Sequence, residues 1–349
     1  MKNTRALVLL SGGLDSMLAA KILIEQGVEV TGITFVSHFF GAINARRAAK
    51  QLGVKLIEYD FKDEHLSMVK RPAHGYGSNM NPCIDCHALM LLKARELMET
   101  EHYDFIATGE VLGQRPMSQN KDALQLVAKI SGLTGRLLRP LSAKLLDLTE
   151  AEKLGKIRRE ELLTISGRSR KRQVELAASY GLKDYPSPAG GCLLTDPAFG
   201  QRLGDLFRNW PDCTGGDIEI IKFGRVHWLI GTDGKKTLAV IGRDEKENKI
   251  LDKLARAEDT IIELTDLNGP TTLLRNFQTD PKSPPASPAI AWRAGKIENP
   301  NFIEVKIPKD LDKKIFIKEN ILEVAVLLTG YYSPKARGKS VKAAYRRIE

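Results

Sequence analysis

The apolar positions fall in short runs separated by stretches of helical spacing. Strand-like runs occupy 6–10, 28–36, 54–61, 105–108 and 137–141. Between the first two, Leu18, Ala19, Ala20, Ile22, Leu23 and Ile24 make 16–26 apolar on most sides, which predicts a buried helix stopped by Gly27. Segment 39–53 places Ala45, Ala48, Ala49 and Leu52 at helical spacing, again just before a glycine, and 87–98 predicts a third helix with Ala88, Leu91, Leu92 and Arg95 along one side. Short strands alternating with helices predict an α/β fold, a doubly wound parallel sheet. Its ligand crevice is then expected at the carboxyl ends of the strands.

Farther along the character changes. Runs at 218–223, 226–231 and 236–241 predict consecutive strands with glycine-containing turns, followed by a charged helix over 244–257. Four prolines within 280–288 predict a stiff linker. A composition shift at Cys213-Thr214-Gly215-Gly216 places a domain boundary there, giving domains 1–215 and 216–349, the second a smaller α+β unit.

Composition narrows the class. With 349 residues, 42% of them hydrophobic, the chain has material for two or three cores. No apolar run approaches the ~18–20 residues of a membrane span, and the apolar run before Ser11 is too short for a signal-peptide core. Four cysteines do not make a disulfide scaffold. A soluble cytoplasmic protein without membrane partners is expected. The formal charge of +10 favours a polyanionic partner. That excess is shared by both halves, +5 (29 minus 24) up to Gly215 and +5 (24 minus 19) after it. Eight basic residues crowd 153–172 against Glu160 and Glu161, ending in Arg168-Ser169-Arg170-Lys171-Arg172. A solvated helix face plus loop accounts for such a run as readily as a nucleic-acid contact does.

The candidate chemistry begins at Ser11-Gly12-Gly13-Leu14-Asp15-Ser16, where an apolar strand gives way to a helix. Two glycines let the backbone turn tightly and present N–H groups to an anion, and the helix amino end adds positive potential. Ser11 and Ser16 can donate hydroxyl hydrogen bonds. The lysine of the usual P-loop is absent. Asp15 among phosphates is repulsive unless it ligates Mg²⁺. Cys83 and Cys86 form a C-x-x-C, and Cys192 follows 106 residues after Cys86, behind Gly190-Gly191. Three thiolates suit an iron–sulfur cluster with one iron left open. A redox pair, or a zinc site completed by Cys213 or His87, stays open as well.

These residues resemble the SGGxDS signature of the PP-loop ATP pyrophosphatase superfamily, whose members use ATP to adenylate a carbonyl oxygen. Thr108-Gly109-Glu110-Val111-Leu112-Gly113-Gln114, followed by Ser118-Gln119, is similar to a segment of tRNA 4-thiouridine synthetases, as is Leu138-Arg139-Pro140-Leu141. Cys83-Ile84-Asp85-Cys86, with Met90, resembles their cysteine-containing helix start, and Asn81-Pro82 resembles that of tRNA 2-thiouridylases. The resemblance covers roughly 1–200 and implies tRNA thiolation, giving 4-thiouridine or 2-thiouridine. It implies that ATP and Mg²⁺ bind at Ser11, Gly12, Gly13, Leu14, Asp15, Ser16, Gly109 and Gln114. It further implies either a [4Fe-4S] cluster on Cys83, Cys86 and Cys192, or persulfide chemistry on Cys86 resolved by Cys192. The partners implied are tRNA, a sulfur donor (sulfide or a cysteine desulfurase) and, as an oligomer, a homodimer.

In the second half, Gly242-Arg243-Asp244-Glu245-Lys246-Glu247-Asn248 and Asn268-Gly269-Pro270 resemble the RNA-binding module of NFACT ribosome-quality-control proteins, with His227-Trp228 and Tyr331-Tyr332-Ser333 fitting around them. Arg243, Arg275 and the tail lysines are candidates for phosphate contacts, and Trp228 or Tyr331 for stacking on a base, although each aromatic serves equally as core. Two other classes are weighed: an amide- or amidine-forming ligase, which has no use for the cysteine trio, and a noncatalytic, nucleotide-regulated RNA-binding factor.

Overall fold

The computed structural model describes residues 4–187, 191–231, 233–277, 301–310 and 320–348. The proline-rich linker expected at 280–288 and Gly190 of the glycine pair lie outside these residues. The chain divides into two compact units, Met1–Gln201 and Arg202–Glu349.

The first unit is the expected α/β fold. Its elements are β1 (Arg5–Leu9), α1 (Leu14–Glu25), β2 (Glu29–Val36), α2 (Ile43–Leu52), β3 (Lys55–Asp60), α3 (Lys62–Lys70), α4 (Cys83–Thr100), β4 (Phe105–Ala107), α5 (Lys121–Ile130), β5 (Leu137–Leu138), α6 (Glu150–Lys153) and α7 (Lys171–Ser179). The strands form a wholly parallel sheet in the order β3-β2-β1-β4-β5. Side chains alternate across it, as a strand requires. Ala6 and Val8 join a core with Leu18, Ala20 and Leu23 of α1, whereas Leu7 faces Leu91, Ala94 and Met98 of α4 and Val127 of α5. Strand order reverses between β1 and β4, so the crevice of a doubly wound sheet opens beyond these two strands. Ser11–Gly13 and Thr108–Glu110 follow them directly.

The basic stretch is less helical than its composition suggests. It holds the end of α6, a 3₁₀ turn at Arg159–Glu161 and irregular chain up to Lys171. Helix α8 (Pro197–Asn209) runs across the division in sequence.

The second unit contains α9 (Gly215–Ile221), β6 (Arg225–Ile230), β7 (Lys236–Ile241), α10 (Glu245–Leu254), β8 (Thr260–Leu264), β9 (Thr272–Arg275), β10 (Asn301–Lys306), α11 (Ile321–Tyr331) and β11 (Ser340–Arg347). Its antiparallel sheet has the order β10-β11-β8-β9-β7-β6. Helix α11 covers one face, packing Val324, Ala325 and Leu328 into a core with Ala239, Ile262, Leu264 and Leu274. The strand expected at 218–223 is instead helix α9. Asp217 accepts from the Thr214 N–H (2.7 Å) and hydroxyl (2.9 Å), capping the first turn, and Ile218, Ile220 and Ile221 are buried. The β-branched run misleads there because capping and burial outweigh propensity.

Candidate nucleotide and thiol site

Two glycines close the nucleotide loop by letting backbones meet. Gly12 has φ +80°, and a Cβ on it would lie 2.2 Å from the carbonyl carbon of Asn44 at the start of α2. A Cβ on Gly109 would lie 2.4 Å from the Ser16 nitrogen, so the loops after β1 and β4 pack main chain against main chain. The Ser16 hydroxyl donates to the Gly13 carbonyl (2.8 Å), and the Gly13 N–H reaches Ser11 Oγ at 3.3 Å. Gly13 is the N-cap of α1 and offers no side-chain cap, which leaves first-turn N–H groups for an anion. The Leu14 side chain lies in the core, so only its backbone faces this chemistry. Asp15 accepts from Gln114 Nε2 through Oδ2 (2.8 Å), while its Oδ1 is buried with no hydrogen-bond partner. A buried carboxylate oxygen left unpaired is costly, and a cation is a natural complement. Asp15 therefore fits a divalent ion.

Next to this loop stands a network whose members were not among the predicted site residues. Glu110 accepts from Arg139 Nε (2.9 Å) and the Thr108 hydroxyl (3.0 Å), and its Oε1 lies 3.0 Å from His87 Nδ1. Burial alone would raise the Glu110 pKa, but Arg139 and His87 outweigh it and hold the carboxyl well below its usual range. His87 is on α4, directly after Cys86, so Glu110 ties the cysteine helix to the loop after β4. The glutamate and arginine stand within the Thr-Gly-Glu and Leu-Arg-Pro-Leu segments, and that membership is the signal that could have found them.

The three predicted sulfur residues are brought together. Cys83 opens α4 and Cys86 follows one turn later, while Cys192 precedes the 3₁₀ turn Leu193–Thr195. Burial pushes the Cys86 thiol well up, and nearby Cys192 and Cys83 push it further. Cys192 is pushed up to about 11, chiefly by burial and in part by Cys83. Asn81 Nδ2 donates to Cys83 Sγ (3.2 Å), and His65 Nε2 lies 3.2 Å from Cys86 Sγ. His65 is fully buried among Phe39, Phe40 and Phe61, and sequence pattern gave no sign of it. Among the described residues no group of three or more His, Cys, Asp or Glu is arranged to hold a single metal ion. The all-thiol donor set suits a cluster, whose ligands stand farther apart than those of one ion. Cys213 is buried in the other unit.

In the second unit the motif segments converge. Gly242, Arg243 and Asn248, Asn268 and Gly269, and Ser333 line one cavity of about 420 Å³. Arg243 is half-exposed and paired with Glu247 (Nε to Oε2, 2.9 Å). Arg275, expected to contact phosphate, is instead core. It is 2% exposed and bonded to Asp259 (2.7 Å), Asp217 (3.0 Å) and the carbonyls of Gly216 and Leu254. Trp228 packs edge-on against Trp210 at 5.0 Å, and Tyr331 lies under the Arg337 guanidinium at 4.6 Å. In the basic stretch of the first unit, Lys156, Arg158, Arg159 and Arg172 pair with Asp104, Glu161, Glu152 and Glu175. Lys153, Arg168 and Lys171 are exposed.

Comparison with known proteins follows this division. Residues 2–155 match the family described as thiamine biosynthesis protein (ThiI), and residues 233–332 match the NFACT protein RNA binding domain. The chain is 32% identical over 143 residues to the tRNA-specific 2-thiouridylase MnmA of Methylobacterium nodulans, covering 35% of this chain and 37% of that protein. It is 33% identical over 128 residues to the MnmA of Cutibacterium acnes, covering 30% and 34%. The chain thus spans about a third of the length of these curated relatives. Among solved structures it is similar to a 4-thiouridine synthetase–RNA complex with bound ATP (20% identity, TM-score 0.36, 63% of this chain and 52% of that one). A predicted subunit of tRNA methyltransferase from Methanocaldococcus jannaschii is similar at 21% identity and TM-score 0.33, covering 50% and 76%. The two matches fall one in each compact unit, residues 2–155 in the first and 233–332 in the second.

Proposed function

We propose that this protein is an ATP-dependent tRNA thiouridine synthetase, with residues 1–215 catalytic and 216–349 contacting RNA. The observation that carries the reading is the placement, in one unit, of a glycine loop with an unpaired buried carboxylate oxygen and of three converging thiols, joined through His87 and Glu110. The names of the relatives, tRNA-specific 2-thiouridylases, agree with it.

Oxide is a poor leaving group, so a uracil carbonyl oxygen must be activated before sulfur can replace it. The Gly12, Gly13 and α1 N–H groups bind and orient the phosphates of ATP, and Gly109 keeps the opposite loop close. Asp15 Oδ1 would hold Mg²⁺, which offsets phosphate charge. The carbonyl oxygen attacks the α-phosphorus and pyrophosphate departs. Sulfur then attacks the ring carbon and AMP leaves with the oxygen. Cys83, Cys86 and Cys192 would hold a [4Fe-4S] cluster, which when bound supplies an open iron site for sulfide from a donor. A second reading is favoured by the contact of His65 with Cys86 alone: Cys86 takes sulfane sulfur from the persulfide of a cysteine desulfurase, that sulfur attacks the ring carbon, and Cys192 attacks Cys86 to free it, leaving a Cys86–Cys192 disulfide for an external thiol to reduce.

The test is anaerobic incubation with unmodified tRNA, ATP and Mg²⁺, with sulfide in one arm and a cysteine desulfurase with cysteine and a thiol reductant in the other, followed by nucleoside analysis. A thiouridine is expected, and its identity names the carbonyl. Pyrophosphate release without any thionucleoside would overturn the reading. Cysteine variants divide the two routes. Loss of iron and activity together in Cys83→Ala, Cys86→Ala and Cys192→Ala supports the cluster, whereas an iron-free Cys83→Ala protein that is active with the desulfurase supports the persulfide.

A further inference from the structure

We infer that Gln173 is a positioning residue for Asp15, acting through the side-chain amide of Gln114. The inference rests on the nucleotide reading of loop 11–16. Gln173 lies on α7 and is fully buried. Its Nε2 donates to Gln114 Oε1 at 3.2 Å, and Gln114 Nε2 donates to Asp15 Oδ2 at 2.8 Å.

The polarity of this chain follows from its inner end. An ionised carboxylate only accepts, so Gln114 must turn its NH₂ toward Asp15. Its carbonyl oxygen then faces away, and only a donor can meet it there. Gln173 must therefore present its own NH₂, which leaves Gln173 Oε1 buried without a hydrogen-bond partner. A glutamine serving merely to fill the core would carry that unpaired oxygen at a cost with nothing to offset it. Holding Gln114 in one orientation gives the cost a purpose: Asp15 Oδ2 is occupied, its rotamer is pinned, and Oδ1 is left for the cation. Neighbouring backbone supports the arrangement. The Gly167 N–H donates to the Leu112 carbonyl (2.7 Å) and the Leu112 N–H to Ser142 Oγ (2.9 Å), so the Gln114 loop is anchored to the chain just before α7 and to the chain that follows β5.

The substitution Gln173→Glu keeps the shape and reverses the polarity. The introduced carboxylate cannot donate to Gln114, whose amide turns over and sets an oxygen against Asp15. ATP binding to the full chain is measured with and without Mg²⁺, alongside thermal unfolding. The expected result is an Mg²⁺ requirement raised about tenfold with metal-free ATP binding unchanged, in a protein whose thermal unfolding remains cooperative. Gln173→Met, apolar and of like volume, should raise that requirement by a smaller factor, about threefold, and gives the same information if the charged variant fails to fold. A wild-type Mg²⁺ requirement in both folded variants overturns the inference, as does a loss of ATP binding that is equal with and without the metal. Asp15→Asn separates the role of Gln173 from the nucleotide reading beneath it. If it abolishes the Mg²⁺ effect while both Gln173 variants behave as wild type, the nucleotide reading stands and the role of Gln173 falls. If Asp15→Asn itself leaves Mg²⁺-dependent binding intact, the nucleotide reading falls.

Discussion

Arg275 in the second unit is a buried charged group, Asp15 in the first a half-buried one with a buried Oδ1, and their surroundings are opposite. Arg275 is satisfied entirely by protein: two carboxylates and two carbonyls take up its donors. Asp15 has one partner on one oxygen and none on the other. A completed charge network contributes to folding and has nothing left to offer a ligand, whereas an incomplete one is destabilising until a ligand arrives. The difference separates a basic residue that looks like an RNA contact from an acidic one that looks like a liability. The same contrast recurs inside the first unit. Glu110 is fully engaged by Arg139, Thr108 and His87, while Gln119 Oε1 and Gln173 Oε1 are buried without hydrogen-bond partners.

The contrast can be broken at several points. The largest effect is expected from Asp15→Asn, which should lower ATP-dependent pyrophosphate release about 10³-fold while leaving the unfolding midpoint in place. A folded variant with undiminished release would remove Asp15 from the site. Next comes Arg275→Ala, which strands Asp259 without its cation and leaves Asp217 with Arg256 alone. It should cost about 3 kcal/mol or more of stability in the second unit. Tryptophan fluorescence in a urea titration reads this selectively, because all three tryptophans, 210, 228 and 292, follow residue 201. A drop in RNA affinity at unchanged stability would instead make Arg275 a contact residue.

The Glu110 network predicts a pH dependence in the first unit. The folded carboxyl has a pKa below its ordinary value. Its stabilising contribution is therefore complete above the ordinary carboxylate pKa of about 4.3 and is lost as pH falls through the folded value. Far-ultraviolet dichroism should show Glu110→Gln costing more stability at neutral pH than in acid. A penalty that does not change with pH would mean the glutamate is not ionised in the fold. The smallest effect is expected on the exposed basic side chains. Changing Arg168 and Lys171 to alanine should weaken tRNA binding severalfold and reduce the salt dependence by about one counterion for each phosphate left without its cation. Unchanged affinity at every salt concentration would remove this segment from the RNA surface.

How much of this was legible beforehand depends on the range of the interaction. The five parallel strands, the helix behind the phosphate loop and the stops before Gly27 and Gly53 are local patterns of period and glycine, and they stand where the sequence placed them. The C-x-x-C stands at the head of α4. Residues 218–223 misled because isoleucines next to one another read as strand, although the Thr214-x-x-Asp217 cap was there to be read. Arg275 misled because an arginine in a basic half looks like a phosphate contact until its acids are known, and those lie 58 and 16 residues away.

By itself, then, the sequence determined the alternation of elements, the position of the glycine loop and the count of thiols, since each is encoded within a few neighbouring residues. Only the tertiary structure decided which charges are spent on folding and which are left for a ligand. Glu110 with Arg139, Asp15 with Gln114 and Gln173, and His65 against Cys86 are pairings between distant segments. A charge has no fixed role until the fold sets its burial and its partners, because desolvation and pairing are properties of the place and not of the residue.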